Sequence, residues 1–307
     1  MKIDVIIPLY RPGRELFDLL SKLQTQTVAV QNIILMNTEE QYFDELTKEC
    51  DFFGRFPNVQ VHHLKKEEFD HGGTRHQAVQ YSDADVFVTM TQDAMPANDR
   101  LIEKLTQNLR GEVAVAYARQ LPSEHSSELE KISRAFNYPD ESRVKSAEDL
   151  PVLGIKTFFC SNVCAAYRRE VYDRLGGFIR HTIFNEDMIF ASGVIRAGYR
   201  ISYEAQAQVI HSHNYTNLQQ LRRNFDLGVS QADHPEVFRG IASESEGMRL
   251  VKATWKDLRQ RKKLHLFPGF CVQCACKLAG YKLGRNYGRL PRKLVLKLSD
   301  NRAYWKE

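Results

Sequence analysis

KIDVIIPLYRPGRELFDLLSKLQTQ, residues 2–26, decides the fold. Residues 2–9 form a compact β-rich apolar run closed by Pro8 and Pro12. Residues 15–26 then place Leu16, Leu19, Leu20 and Leu23 at helical spacing. The same strand-then-helix unit repeats outward. Residues 31–36 (QNIILM) read as a second strand and 39–50 as a helix. Residues 59–64 are a third strand, followed by a short helix over 72–81 opened by glycines. Residues 86–91 (VFVTMT) are a fourth strand, with a helix over 99–109 and another strand over 113–118. Strands that alternate with helices predict an α/β fold: a Rossmann-like, mostly parallel sheet with helices on both faces. Such sheets bind ligands outside the carboxyl ends of their strands. That rule selects Leu9, Tyr10, Arg11, Asn37, Glu39, the stretch Asp70-His71-Gly72-Gly73-Thr74-Arg75, Gln92 and Asp93.

Further along, 123–150 is polar and predicts a short helix with a mobile loop. Residues 156–167 return to β-rich character. Helices over 169–175 and 187–197 are stopped by Gly176-Gly177 and Gly198. A strand over 200–211 and a helix over 218–229 follow. The expected organisation is one domain over 1–230, with halves over 1–120 and 121–230, and a basic helical extension over 231–307.

The chain of 307 residues has room for one large domain and an appendage. No apolar stretch approaches the roughly 18–20 residues that span a bilayer. The apolar run at the start is too short for a signal-peptide core. A cytoplasmic protein is expected. Of the six cysteines, Cys271, Cys274 and Cys276 cluster without a fourth ligand at a familiar zinc spacing; they read as buried or interface thiols. From residue 249 to 307, sixteen Lys and Arg stand against three Asp and Glu, so the rest of the chain is acidic although the whole is +5. Residues 267–287 mix Phe, Leu, Val and Tyr with Lys277, Lys282 and Arg285, and basic runs flank them. This suits a helix lying on an anionic membrane surface, with Phe267 and Phe270 inserted. No nucleic-acid-binding module accompanies the charge, so nucleic acid is not an expected partner.

Asp93 follows a buried-looking strand, where one carboxylate can hold Mg²⁺ or Mn²⁺ against a diphosphate. Alone, it reads as a helix-capping loop residue. Glu186-Asp187 opens a helix whose dipole favours the anion, and a carboxylate there can take a proton from a sugar hydroxyl. His211 and His213 stand two apart at a strand end. Either can complete a metal shell with Asp93, and His213 is the preferred ligand. Backbone N–H groups at Gly72-Gly73 together with Arg75 can hold phosphate oxygens.

Taken together, IDVIIPLYRP, HGGTRHQA, VTMTQDA, CAAYRREVYDRLGGF and NEDMIFASGVIRAGYRISY resemble the family 2 glycosyltransferases of the GT-A fold, over residues 1–230. The HGGTR and TQDA versions are most similar to rhamnosyltransferases of cell-surface polysaccharide synthesis. The resemblance implies an inverting transferase with Asp187 as base beside Glu186, and Asp93 as metal ligand. It implies TDP-L-rhamnose as donor and a lipid-linked glycan as acceptor, on the inner face of the cell membrane. A UDP-hexose donor is the alternative within the same mechanism, and an inactive membrane-bound scaffold the alternative outside it. Three positions depart from the family pattern. Gln92-Asp93-Ala94 keeps one carboxylate of the usual pair. Gly193 stands where an arginine is common, and Asn37-Thr38-Glu39 replaces an acidic-rich stretch.

Overall fold

The computed structural model describes residues 1–240 and 244–306. Nine strands form one sheet: β1 (Ile3–Tyr10), β2 (Asn32–Thr38), β3 (Val59–Leu64), β4 (Val86–Met90), β5 (Met95–Pro96), β6 (Val113–Leu121), β7 (Arg143–Lys145), β8 (Cys164–Arg168) and β9 (Arg200–Ile210). Their order is β3-β2-β1-β4-β8-β6-β9-β5, with β7 on β9. The first four strands run parallel, as the alternation of the amino-terminal half requires. The second half is mixed rather than mostly parallel. β8 runs antiparallel to β4 and β6, and β5 and β7 run antiparallel to β9.

The amino-terminal half also holds α1 (Glu15–Gln24), α2 (Glu40–Thr47), α3 (Phe52–Arg55), α4 (His71–Gln80) and α5 (Leu101–Thr106). Val5, Ile7 and Leu9 of β1 pack with Leu16, Leu19, Leu20 and Leu23 of α1 on one face of the sheet. Ile6, Ile34 and Phe87 pack on the other with Ala78 and Val79 of α4. Side chains alternate along a strand, so an unbroken apolar run feeds both layers.

The second half holds α6 (Glu128–Asn137), α7 (Leu150–Leu153), α8 (Arg169–Arg174), α9 (Glu186–Arg196), α10 (Asn217–Asp233) and α11 (Pro235–Phe238). The β-rich stretch 156–167 is a strand only at its end. Ile155 and Phe158 are buried in a tight turn over Gly154–Phe158, where the Lys145 ammonium collects the carbonyls of Lys156 and Phe159. Apolar character there reports burial, not strand.

α12 (Glu244–Gln260), α13 (Phe267–Arg285) and α14 (Arg292–Leu298) follow. α10 runs through residue 230, the expected boundary, and α13 lies along it at backbone contact. A Cβ at Gly280 or Gly284 would collide with the Leu221 or Phe225 carbonyl, and one at Gly228 with that of Tyr281. Phe225 and Val229 of α10 join Val295, Leu283, Tyr287 and Trp305 in a third core. Phe270 is 2% exposed, so it is covered by protein and, against expectation, does not insert into lipid. Among the described residues, no helix is long and apolar enough to cross a membrane.

Candidate active site

The carboxyl end of β4, the amino ends of α4 and α9, residues 159–163 before β8 and the segment after β9 surround a cleft of about 360 Å³. Among the described residues, three of the four non-glycine positions with positive φ sit on the carboxyl edge of the sheet: Arg11, Glu39 and Asn185. Such conformations cost free energy and persist where the surroundings over-determine them. Asn185, held by its amide to Ser230 Oγ (3.1 Å), turns the chain so that α9 starts with Glu186 and Asp187 facing the cleft.

The two neighbouring carboxylates have different partners. Glu186 is paired with Arg75 (3.1 Å), both side chains 7% exposed, and accepts from the Asn162 amide (3.0 Å). Burial opposes its ionisation, but the Arg75 charge and its hydrogen bonds hold its pKa below the ordinary value. Asp187 accepts from the backbone N–H of Asn162 (3.0 Å) and of Met188 (2.8 Å). Burial first, and then the charge of Glu186, push its pKa up to about 7. Asn162 is fixed in turn by Thr89 and Tyr167, each donating to its carbonyl oxygen at 2.7 Å.

Across the cleft, Asp93 meets His213 (3.1 Å) and His211 (3.4 Å), and the two imidazole Nε2 atoms stand 3.1 Å apart. One ligand atom from each of the three lies within 4.8 Å of the others. Gln120 Oε1 accepts from Arg134, so His211 Nδ1, 3.0 Å from the same oxygen, is a donor. Burial lowers the His211 pKa and the Asp93 carboxylate raises it. With Nδ1 donating to Gln120, a proton on Nε2 binds the Asp93 carboxylate, and loss of that proton leaves a lone pair that a cation would take up. Two imidazoles and one carboxylate suit a divalent first-row metal such as Mn²⁺. The donor set fits the group, and both histidines converge on it, without the expected preference for His213. Among the described residues it is the only cluster of this kind, so the cysteines of α13 form none.

Other expected residues are placed as follows. Leu9 is buried in the core, so its side chain is not a contact. Gln92 clamps Tyr10 through its N–H (2.9 Å) and carbonyl (3.1 Å). The Arg11 guanidinium lies over the rings of Tyr10 (5.2 Å) and Tyr42 (4.8 Å). The Asn37 amide donates to the Glu39 carbonyl (3.3 Å). These residues form a separate aromatic and cationic ledge at the ends of β1 and β2. The glycine pair differs from expectation. The N–H groups of Gly72 and Gly73 are both taken by Asp70 (2.8 Å each), and a Cβ on either would meet the carbonyl of Ile179 or Arg180. Gly73 is thus a close-packing position and not a phosphate cradle. His71 lines the cleft with its pKa lowered by burial, and Arg75 serves Glu186.

A parallel half-sheet joined to a mixed half, with acidic groups on the shared carboxyl edge, is the architecture of a GT-A sugar transferase. The chain belongs to glycosyl transferase family 2, whose profile matches residues 4–176. It is 37% identical to the O-antigen chain rhamnosyltransferase RfbN of Salmonella typhimurium, over 99% of this chain and 96% of that one. It is 40% identical to the O-antigen chain rhamnosyltransferase WbaN of Salmonella anatum, over 79% and 78%. A mannosyltransferase of Pyrobaculum calidifontis, solved with GDP-Man and Mn²⁺, has the same fold. Its TM-score is 0.63 at 13% identity, covering 94% of this chain and 88% of that one.

Proposed function

We propose that the protein is an inverting transferase that moves L-rhamnose from TDP-L-rhamnose to a lipid-linked glycan in cell-surface polysaccharide synthesis. The observation that carries this reading is the pairing, across one cleft, of a half-buried Asp187, its pKa pushed up to about 7, with the Asp93–His211–His213 cluster. The sugar is supported by the likeness to the two rhamnosyltransferases over most of the chain. The acceptor oxygen attacks the anomeric carbon while its proton passes to Asp187. The bond from that carbon to the diphosphate breaks, and its electrons leave with TDP. Asp93, His211 and His213 would hold a divalent cation, which supplies charge neutralisation for the departing diphosphate. Glu186 and Arg75 orient the α9 terminus, and Tyr10, Arg11 and Glu39 form the ledge for the nucleoside. Residues 1–120 then carry the donor and 121–230 the acceptor.

The same reading places the extension on the inner membrane face. Trp255, Leu264, Val272 and Leu278 are exposed among the lysines and arginines of α12 and α13, as interfacial binding requires. A thermal-shift screen of TDP-L-rhamnose and UDP-hexoses with Mn²⁺ tests the donor. A ligand at a hundred times its Kd adds about 2.7 kcal/mol. TDP-L-rhamnose should give the larger shift and be slowly hydrolysed; a UDP-hexose doing so instead overturns the donor assignment.

A further inference from the structure

We infer that the hollow between α6, α10 and α13 binds a diphosphate carried by the acceptor, with Arg223 and Lys277 as its cations. The inference rests on the lipid-linked acceptor proposed above. The hollow, about 370 Å³, shares Arg134, Tyr138, Phe159, Phe184, Tyr215 and Arg223 itself with the catalytic cleft, so the two are continuous. Arg134 is already committed to Glu130 (2.7 Å) and Gln120. Arg223 has no such commitment. Its guanidinium lies over the rings of Phe184 (5.0 Å) and Tyr215 (5.5 Å) and has no carboxylate partner among the described residues. Lys277 enters from α13, half-buried and likewise without an ion pair among the described residues. Burial lowers its pKa, and the Glu130 carboxylate of the same hollow opposes that only in part. Glu130 also lines the hollow but is paired with Arg134, so Arg223 and Lys277 leave the hollow net positive, which suits a multiply charged anion.

Placement identifies the anion. The sugar end of the acceptor must reach Asp187, which lines the catalytic cleft but not the hollow. Leu278, beside Lys277, is exposed on the extension. An acceptor entering from a lipid surface therefore sets its lipid outside α13 and its sugar inside the cleft, and the group joining them falls between Arg223 and Lys277. Asn137, Gln220 and Asn224 add carboxamides suited to phosphate or hydroxyl oxygens.

The test uses full-length protein saturated with TDP and Mn²⁺, titrated by calorimetry with geranyl diphosphate and with geraniol. Geranyl diphosphate should bind at least about tenfold more tightly than geraniol. Lys277→Gln and Arg223→Gln should each weaken it about fivefold or more, and Lys277→Arg should restore it to within about twofold. Equal affinity in wild type and in both glutamine variants overturns the inference. So does displacement of geranyl diphosphate by excess TDP, which assigns it to the donor site, or by anionic vesicles free of diphosphate lipid, which assigns the cations to headgroups. If one glutamine variant does not fold, the other, with the lysine-to-arginine exchange, still decides. Hydrolysis of TDP-L-rhamnose by the same preparation separates the two claims: its absence counts against the donor, while the geranyl titration still judges the hollow.

Discussion

Asp93 and Asp187 face one cleft, yet their surroundings differ. The Asp93 side chain is 44% exposed and sits between two imidazoles; Asp187 is enclosed beside a second carboxylate. Burial works against ionisation at both. At Asp93 the hydrogen bonds from His211 and His213 win and hold its pKa well below the usual carboxylate range. At Asp187, which makes no ion pair among the described residues, burial and the Glu186 charge outweigh the charge of Arg75 and push the pKa up to about 7. One carboxylate is a permanent anion, suited to a cation and a diphosphate. The other can exchange a proton, suited to a base.

The sharpest way to break this contrast is Asp187→Asn. Turnover should fall about 10²–10⁴-fold with donor affinity within about twofold, since a base contributes to the transition state and not to donor binding. A folded variant that keeps a tenth of wild-type turnover, with calorimetric donor affinity unchanged, removes Asp187 from the role. On the other side of the cleft, Gln120→Leu frees the His211 tautomer without touching any ligand atom. Mn²⁺ affinity, read by electron paramagnetic resonance, should weaken about 10–100-fold. Unchanged affinity would mean that Gln120 does not hold the imidazole.

Smaller effects follow from titration. Turnover should rise with pH through about 7 as Asp187 ionises. Glu186→Gln should move that limb toward acid, because it removes the neighbouring charge that raises Asp187; a limb that stays put assigns the ionisation elsewhere. The linkage has a definite sign. An aspartate titrating at about 3.9 when unfolded and higher when folded binds more protons in the folded state. Stability is then lost as pH rises from about 4 to about 7. The melting temperature of Asp187→Asn relative to wild type should therefore be more favourable at pH 8 than at pH 5. A constant difference across that range would show that Asp187 titrates normally.

The parallel half was legible because each functional residue follows its strand. Asp93 comes after β4, and Tyr10 and Arg11 after β1. Asn162, which anchors both Glu186 and Asp187, was missed because β8 is antiparallel. At the shared edge its site residue precedes the strand, and 156–167 read as one strand concealed it. Gln120 was hidden inside an apolar strand pattern, where nothing marks a buried amide as a histidine anchor. The glycine pair was visible but misread. A close approach by Ile179 and Arg180, over a hundred residues away in sequence, leaves no local signal. The basic character of the extension was equally plain. That its most apolar helix would be covered by α10 depended on Gly228, Gly280 and Gly284 meeting in space.

That glycine contact sets a gauge. Side-chain packing between helices tolerates sliding by small repacking steps, whereas opposed backbones separated only by hydrogen atoms do not. α10 begins just after His213, and α13 is pinned to it at Gly280 and Gly284. The offset between the basic helix and the catalytic carboxylates is thereby fixed by three residues without side chains, and not by the 33-residue stretch from 234 to 266 that joins the two helices. Within that connection Val237, Phe238 and Leu258 are buried, while its exposed positions can change without moving the reach of the active centre. A single methyl group at Gly284 would alter it.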